Sequence, residues 1–334
     1  MASVKKFIKH HFPSLASIGS ELKRQDYVIL KGMLWHLPLP SIIPIQITNL
    51  CNARCIFCQY PQNIDKKECM SFNTFKSIID EAVNCHISKI HLIGAAGEIY
   101  LDKGIISKIA YAKEKNICVY LTTNGTLFHV NDYAKKTLDL GVERIFISTP
   151  GFSKEAYARL FGVKNYSQFF PGILRLLEYK ENNNLNTNIC FGFRSDRPIA
   201  EVEKDPDYVS FIKRFVDNGI LRAEDHRTAF DTWGGEVAEE NFIGSMKVLK
   251  ETSRIFCPKL YTPQIAILHD GSVKLCGCSY HKTEFDDMVI GHIDSGLVRC
   301  LGSRRVKKVF FDYIFKKQIP SICQACTRPE ERKR

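Results

Sequence analysis

Three cysteines within eight residues, Cys51-Asn-Ala-Arg-Cys55-Ile-Phe-Cys58, form the segment of this chain best suited to chemistry. Three thiolates in a C-x3-C-x2-C spacing can hold three irons of a 4Fe–4S cubane and leave the fourth iron open to a small molecule. An open iron suits catalysis, whereas a closed set of four ligands suits structure or electron transfer. The competing reading is a zinc knuckle, which needs a fourth ligand and is more often built from paired C-x2-C units. The chain has thirteen cysteines. No apolar h-region with a cleavage site opens it and no run of eighteen apolar residues occurs, so a cytoplasmic address is expected. In that reducing compartment clustered thiols point to metal or catalysis before disulfides. Cys69, Cys85, Cys118, Cys190 and Cys300 lie in apolar or helical contexts and read as buried small hydrophobes.

The elements that must position the triplet follow from periodicity. From about residue 44 to 228, short β-type runs alternate with amphipathic helices. The strands expected are Ile43–Thr48, Lys89–Gly94, Cys118–Thr122, Arg144–Ser148, Asn188–Phe193 and Leu221–His226. Their near-continuous apolar character predicts a sheet covered on both faces. In the first helix Phe72, Phe75, Ile78, Ile79, Ala82 and Val83 share a stripe behind an N-cap at Ser71. A second stripe runs from Tyr166 to Asn182 and stops in an Asn run. Six β/α units predict an α/β fold with a parallel sheet, either a partial barrel or a doubly wound sheet. Beyond Gly235 a helix is expected near 241–254. A hairpin is expected next, Gln264–His269 with Val273–Cys276, turning at Asp270-Gly271. A basic helix near 297–317 precedes Cys323-x2-Cys326.

The triplet after the first strand, with six β/α units, resembles the radical S-adenosylmethionine (SAM) superfamily. The resemblance implies a partial (β/α)6 barrel over residues 44–240. It also implies a 4Fe–4S cluster whose open iron chelates the amino and carboxylate groups of SAM, and a 5′-deoxyadenosyl radical formed by one-electron cleavage. Further motifs fall where barrel sites collect, at the C-terminal ends of strands. Phe57 matches the aromatic position near the adenine. Gly94-Ala-Ala-Gly97-Glu98 is similar to the Gly-Gly-Glu segment that receives the SAM amino group, with Ala96 in place of the first glycine. Thr122-Thr123-Asn124-Gly125 looks like the ribose-side segment, and Ser148 sits at a polar SAM contact. Arg194 is placed like the arginine that pairs with the SAM carboxylate, a bidentate task suited to guanidinium. Taken singly each is an ordinary turn or a solvated side chain; in register with the triplet they read as one site.

Cys257, Cys276, Cys323 and Cys326, spaced C-x18-C-x46-C-x2-C, resemble the ligand set of the twitch domain, a shortened relative of the SPASM extension. That resemblance implies a small α+β iron–sulfur domain over residues 241–334 holding a second, auxiliary 4Fe–4S cluster. A zinc site of four cysteines is the alternative. Cys278 competes with Cys276 for one ligand position. Gly291-His292-Ile293 stands where many relatives carry Gly-Asn-Ile.

The net charge of +11 is uneven. Residues 1–43 carry +4 and residues 299–334 carry +8, leaving the body near neutral. A basic groove across the main domain is not supported, which argues against a nucleic-acid partner. Lys5, Lys6 and Lys9 beside Phe7, Ile8 and Phe12 suit peripheral contact with anionic lipid, or a plain capping helix. The resemblance further implies a flavodoxin- or ferredoxin-type reductant. It also implies a polar small-molecule substrate, anionic or nucleotide-linked. One auxiliary cluster beside a partial barrel is the layout of relatives that oxidise or epimerise aminocyclitols and sugars. In the dehydrogenases the auxiliary cluster takes the electron left on the substrate radical. In an epimerase a thiol such as Cys278 would return a hydrogen atom. A peptide-modifying maturase is the alternative from another class, and a non-catalytic iron–sulfur or zinc protein a third. Arg227, Asp231 and Trp233, in the segment after the last strand, suit binding of a hydroxylated substrate; a domain linker is the plainer reading.

Overall fold

A computed structural model describes residues 36–59, 68–93, 97–233, 235, 237–249, 265–276, 288–316, 318, 320, 323–324 and 326. Cys257, Cys278 and residues 94–96 of the Gly94–Glu98 segment lie outside these residues, as does the basic stretch expected to dock on lipid.

Alternation along each strand decides the architecture. Ile90 and Leu92, Val119 and Leu121, and Ile145 and Ile147 are fully buried. The residues between them, including His91, Tyr120, Thr122, Arg144, Phe146 and Ser148, are only half-buried. The sheet therefore packs helices on one face and turns the other toward a polar lumen, rather than being covered equally on both sides as the apolar runs suggest. Six parallel strands make this wall: β1 (Ile43–Gln46), β2 (Lys89–Ile93), β3 (Cys118–Thr123), β4 (Arg144–Thr149), β5 (Asn188–Arg194) and β6 (Leu221–Arg227). They stand side by side in chain order. With right-handed crossovers and no reversal of order, the helices all fall on the same side, which selects the partial barrel over the doubly wound sheet.

The outer helices are α1 (Phe72–Asn84), α2 (Ile105–Glu114), α3 (Tyr133–Asp139), α4 (Lys154–Leu160) and α5 (Tyr166–Asn182). Two short helices, α6 (Ile199–Val202) and α7 (Lys213–Asp217), precede β6. Ser71 caps α1 as expected, its hydroxyl accepting from the Thr74 N–H at 3.0 Å. Phe75, Ile78, Ile79 and Ala82 are buried. Phe72 and Val83, expected on that stripe, are 43% and 41% exposed because they sit at its two ends.

Past β6 the expectations need correction. No helix forms over the described part of 241–254. There β8 (Lys247–Val248) pairs in parallel with β7 (Ala229–Phe230), and Gly244 adopts φ +58 against the Asp196 backbone, a conformation that ends a helix. The hairpin is present as β9 (Ala266–Ile267) and β10 (Ser272–Lys274), turning at Asp270-Gly271. Strand β11 (Val289–His292) pairs with β10. The basic helix is two helices, α8 (Leu297–Leu301) and α9 (Arg304–Phe315), because Gly302 intervenes and Ser303 caps a fresh start at the Val306 N–H. Cys69 is exposed, not buried, while Cys190 and Cys300 are buried; Cys69 pairs through a lone bridge with Thr48, a site no apolar pattern marks.

Strand β9 pairs in parallel with β1 through Ile45 and Ile267. One nine-stranded sheet, in the order β11-β10-β9-β1-β2-β3-β4-β5-β6, thus crosses the boundary expected at residue 240. Side chains reinforce the junction. Asn49 lies 3.4 Å from Nε2 of His269, and Nδ1 of His269 lies 3.1 Å from the Gln46 carbonyl oxygen. Since the Asn49 amide nitrogen can only donate, Nε2 accepts and Nδ1 carries the proton. No helix among the described residues is long and apolar enough to cross a membrane.

Candidate active site

The cysteine loop leaves β1 and is held from three sides. Arg54 and Ile56 donate their N–H groups to the carbonyls of Phe161 and Leu160 at the end of α4, at 2.8 and 3.0 Å. Asn52, between the first two cysteines, donates to Thr126 Oγ1 and accepts from the Asn124 amide, both at 2.8 Å. On the third side Trp233 Nε1 donates to the Phe57 carbonyl at 2.9 Å. The loop is thus fixed by its own backbone and by the side chains of Asn52 and Trp233.

Cys51, Cys55 and Cys58 line one cavity of about 260 Å³ at the C-terminal end of the barrel. Burial pushes the Cys51 thiol up to about 12, with Glu98 and Cys58 adding to the rise. Burial raises Cys55 as well, reinforced by its two neighbouring thiols. Without metal these are neutral thiols; iron would displace their protons, so loading is coupled to proton release. Among the described residues no three cysteine, histidine or carboxylate side chains converge on a single ion. The three thiols share one cavity wall, and three thiolates can hold three irons of a cubane and leave the fourth open.

The other predicted residues share that wall. Phe57, Gly97, Glu98, Thr123, Asn124, Ser148, Arg194, Arg227, Asp231 and Trp233 all line it. Gly97 packs so closely on the loop that a Cβ would lie 2.3 Å from the Thr48 carbonyl oxygen. Its neighbour Glu98 donates its N–H to Leu50 at 2.6 Å. The Glu98 side chain is buried and accepts from the Thr123 hydroxyl at 2.6 Å and the Asn124 N–H at 2.7 Å. Burial raises its carboxyl to about 7, opposed by these hydrogen bonds. Glu98 thereby ties the end of β2 to the end of β3, a bracing role beside its place on the wall.

Arg194 ends β5 with its guanidinium 5.5 Å from the centre of the Phe146 ring. Gly192 makes this possible, since a Cβ there would lie 2.0 Å from the same ring. Arg194 and Arg227 are register partners across β5 and β6, so two guanidinium-bearing residues stand side by side at the rim. Cys276, Cys323 and Cys326 are half-buried and outside this cavity.

Residues 45–205 match the model of the radical SAM superfamily. Those residues are a radical SAM domain. The chain is 26% identical to GTP 3′,8-cyclase of Peptoclostridium acidaminophilum over 63% of this chain and 62% of that one. It is 29% identical to GTP 3′,8-cyclase of Alkaliphilus oremlandii over 74% and 84%. Against four such cyclases, the Peptoclostridium protein included, the chain spans only 48–62% of their length. The solved structure of BtrN in complex with AdoMet and 2-DOIA shares the fold at a TM-score of 0.56 and 14% identity, over 87% of this chain and 94% of that one. A radical SAM domain implies a 4Fe–4S cluster and SAM as cofactors, and three cysteines on one cavity wall are the donor set such a cluster needs.

Sequence reasoning missed part of the radical SAM cavity. Phe146 lies two residues before Ser148 on β4 and so shares its face; strand periodicity could have found it. Phe161, Phe230 and Leu249 also line the cavity. They come from a helix end and from the β7–β8 pair, for which no sequence signal stood out.

Proposed function

We propose that this radical SAM enzyme oxidises a hydroxylated, polar small molecule of the sugar or aminocyclitol class by hydrogen-atom abstraction. What supports the reading is the shared wall: the cysteine triplet, Glu98, Asn124, Ser148 and Arg194 on one part, Arg227, Asp231 and Trp233 on another. When bound, cluster and SAM together supply a 5′-deoxyadenosyl radical. Arg194 would pair with the SAM carboxylate, a fork-to-fork contact that a lysine could not reproduce. Phe57 and Asn124 would flank adenine and ribose, and Ser148 would add a polar contact. Arg227 would hold an anionic group of the substrate, and Asp231 would accept from its hydroxyls. Cys276, Cys323 and Cys326, with Cys257 outside the described residues, would hold an auxiliary cluster in a twitch-like C-terminal region over 241–334.

A purine nucleotide is the second reading, favoured by the relatives named GTP 3′,8-cyclase. Paired arginines at the rim would suit a phosphate chain as well as a nucleotide-linked sugar. An epimerase with Cys278 as hydrogen donor is the third, and that residue lies outside the described ones.

The test is anaerobic reconstitution followed by a substrate panel of nucleotide sugars, aminocyclitols and GTP. The intact protein should carry about eight irons, as two cubanes require. Replacing Cys51, Cys55 and Cys58 together by Ala should leave about four and abolish 5′-deoxyadenosine. Retained SAM cleavage in that variant defeats the reading. A nucleotide sugar or aminocyclitol that raises 5′-deoxyadenosine formation and emerges two electrons oxidised supports the first assignment. GTP consumed without net oxidation replaces it with the second. Solvent deuterium in a redox-neutral product of a sugar would favour the third.

A further inference from the structure

We infer that Trp233 is a positioning residue for the cluster loop: its indole pins the peptide plane between Phe57 and Cys58 and couples that plane to the segment carrying Asp231. The inference rests on the reading of Cys51, Cys55 and Cys58 as ligands. Both ends of this one peptide unit are held. Its carbonyl accepts from Trp233 Nε1 at 2.9 Å, and its N–H, that of Cys58, donates to the Cys55 carbonyl at 3.1 Å. A peptide held at both ends resists rotation, so the backbone leading into Cys58 keeps one orientation.

The indole is itself constrained. Trp233 adopts φ +52, a left-handed conformation uncommon for a bulky residue. Such strain persists only where surroundings over-determine it. Here the restraints are the Asp231 carboxylate, which accepts from the Trp233 N–H at 2.9 Å, and the bond to Phe57. The Phe57 ring completes the clasp by stacking on Phe230 at 5.0 Å and 24°. Residues 230 to 233 therefore grip both the backbone and the ring of Phe57. Asp231 faces the cavity in which the substrate is proposed to bind, so a ligand there acts on the carboxylate that shapes the clasp.

Trp233→Phe removes the N–H donor and keeps an aromatic ring. In hydrogen–deuterium exchange on the full chain, peptides spanning residues 51–59 should exchange about five- to tenfold faster, the effect of one lost net hydrogen bond. Peptides from β3 and β4 should be unchanged. Asp231→Asn keeps an acceptor for the Trp233 N–H and should leave the 51–59 peptides within about twofold of the parent, whereas Asp231→Ala should loosen them as Trp233→Phe does. With the cluster loaded, Trp233→Phe should retain iron yet shift the reduction potential, because peptide orientation near the cluster governs hydrogen bonding to its sulfurs. Unchanged exchange over 51–59, or uniform loosening of the whole barrel, overturns the inference. The ligand reading fails separately, by iron content in the cysteine variants, and the exchange result does not depend on it.

Discussion

His91 shows how one lumen side chain carries a pH-dependence. Its Nε2 lies 2.7 Å from Thr122 Oγ1, and Thr122 lines the cavity. Burial, with Arg144 nearby, lowers the imidazole to about 4. An unfolded histidine takes up its proton near 6.5. Between these values the unfolded chain binds more protons, so stability should fall as pH drops from about 6.5 to about 4, by up to about 3 kcal/mol. His91→Gln should flatten that part of the curve, as read by urea denaturation at a series of pH values. Arg194→Ala makes a second residue-level prediction. Loss of a charge-assisted pair costs about 2 kcal/mol, or roughly thirtyfold in SAM affinity, with iron content unchanged. Equilibrium dialysis with labelled SAM measures it, and unaltered affinity would remove Arg194 from the SAM site. Legibility at this scale was uneven. The cysteine triplet could be read from its spacing, and Glu98 and Arg194 from their places at strand ends in register with it. Phe161 could not, because an aromatic at a helix end is first of all a core residue, and Phe146 was legible only through the face it shares with Ser148 on β4.

At the scale of elements, the strands were legible as short runs rich in Ile, Val and Phe between amphipathic helices, and β1 to β6 fall within two residues of their expected bounds. The region after β6 was not. Strands β7 and β8 have two residues each, too few for any periodicity, and their pairing is decided by tertiary contacts. The break between α8 and α9 was marked by Gly302-Ser303, a stop followed by a cap, inside a stripe that otherwise read as continuous. Close approach between elements gives the prediction here. Gly97 lets the turn after β2 press on the backbone entering the cysteine loop, and Gly97→Ala places a carbon 2.3 Å from the Thr48 oxygen. The loop must shift, so the variant should lose about 1–3 kcal/mol of stability and load fewer irons than the parent, falling toward the about four that an auxiliary cluster alone would hold. Calorimetry and iron analysis would measure both. Normal iron loading would show that the loop tolerates displacement.

For the whole molecule, the sequence suggested two domains and the structure joins their strands in one sheet. That union was invisible beforehand because it depends on a single parallel register, Ile45 with Ile267, between distant segments. It has a consequence in time. During synthesis β1 emerges long before its second neighbour, and Ile267 follows Ile45 by 222 residues. At translation rates of 5–20 residues per second the delay is on the order of ten to forty seconds. Throughout that interval one edge of β1 offers unpaired N–H and C=O groups to any passing strand. A chain ending at residue 264 makes the interval permanent. It should express mainly as aggregate and bind a cross-β dye, whereas the full chain should not. If the shortened chain stays monomeric in gel filtration, the edge of β1 is guarded by something other than β9.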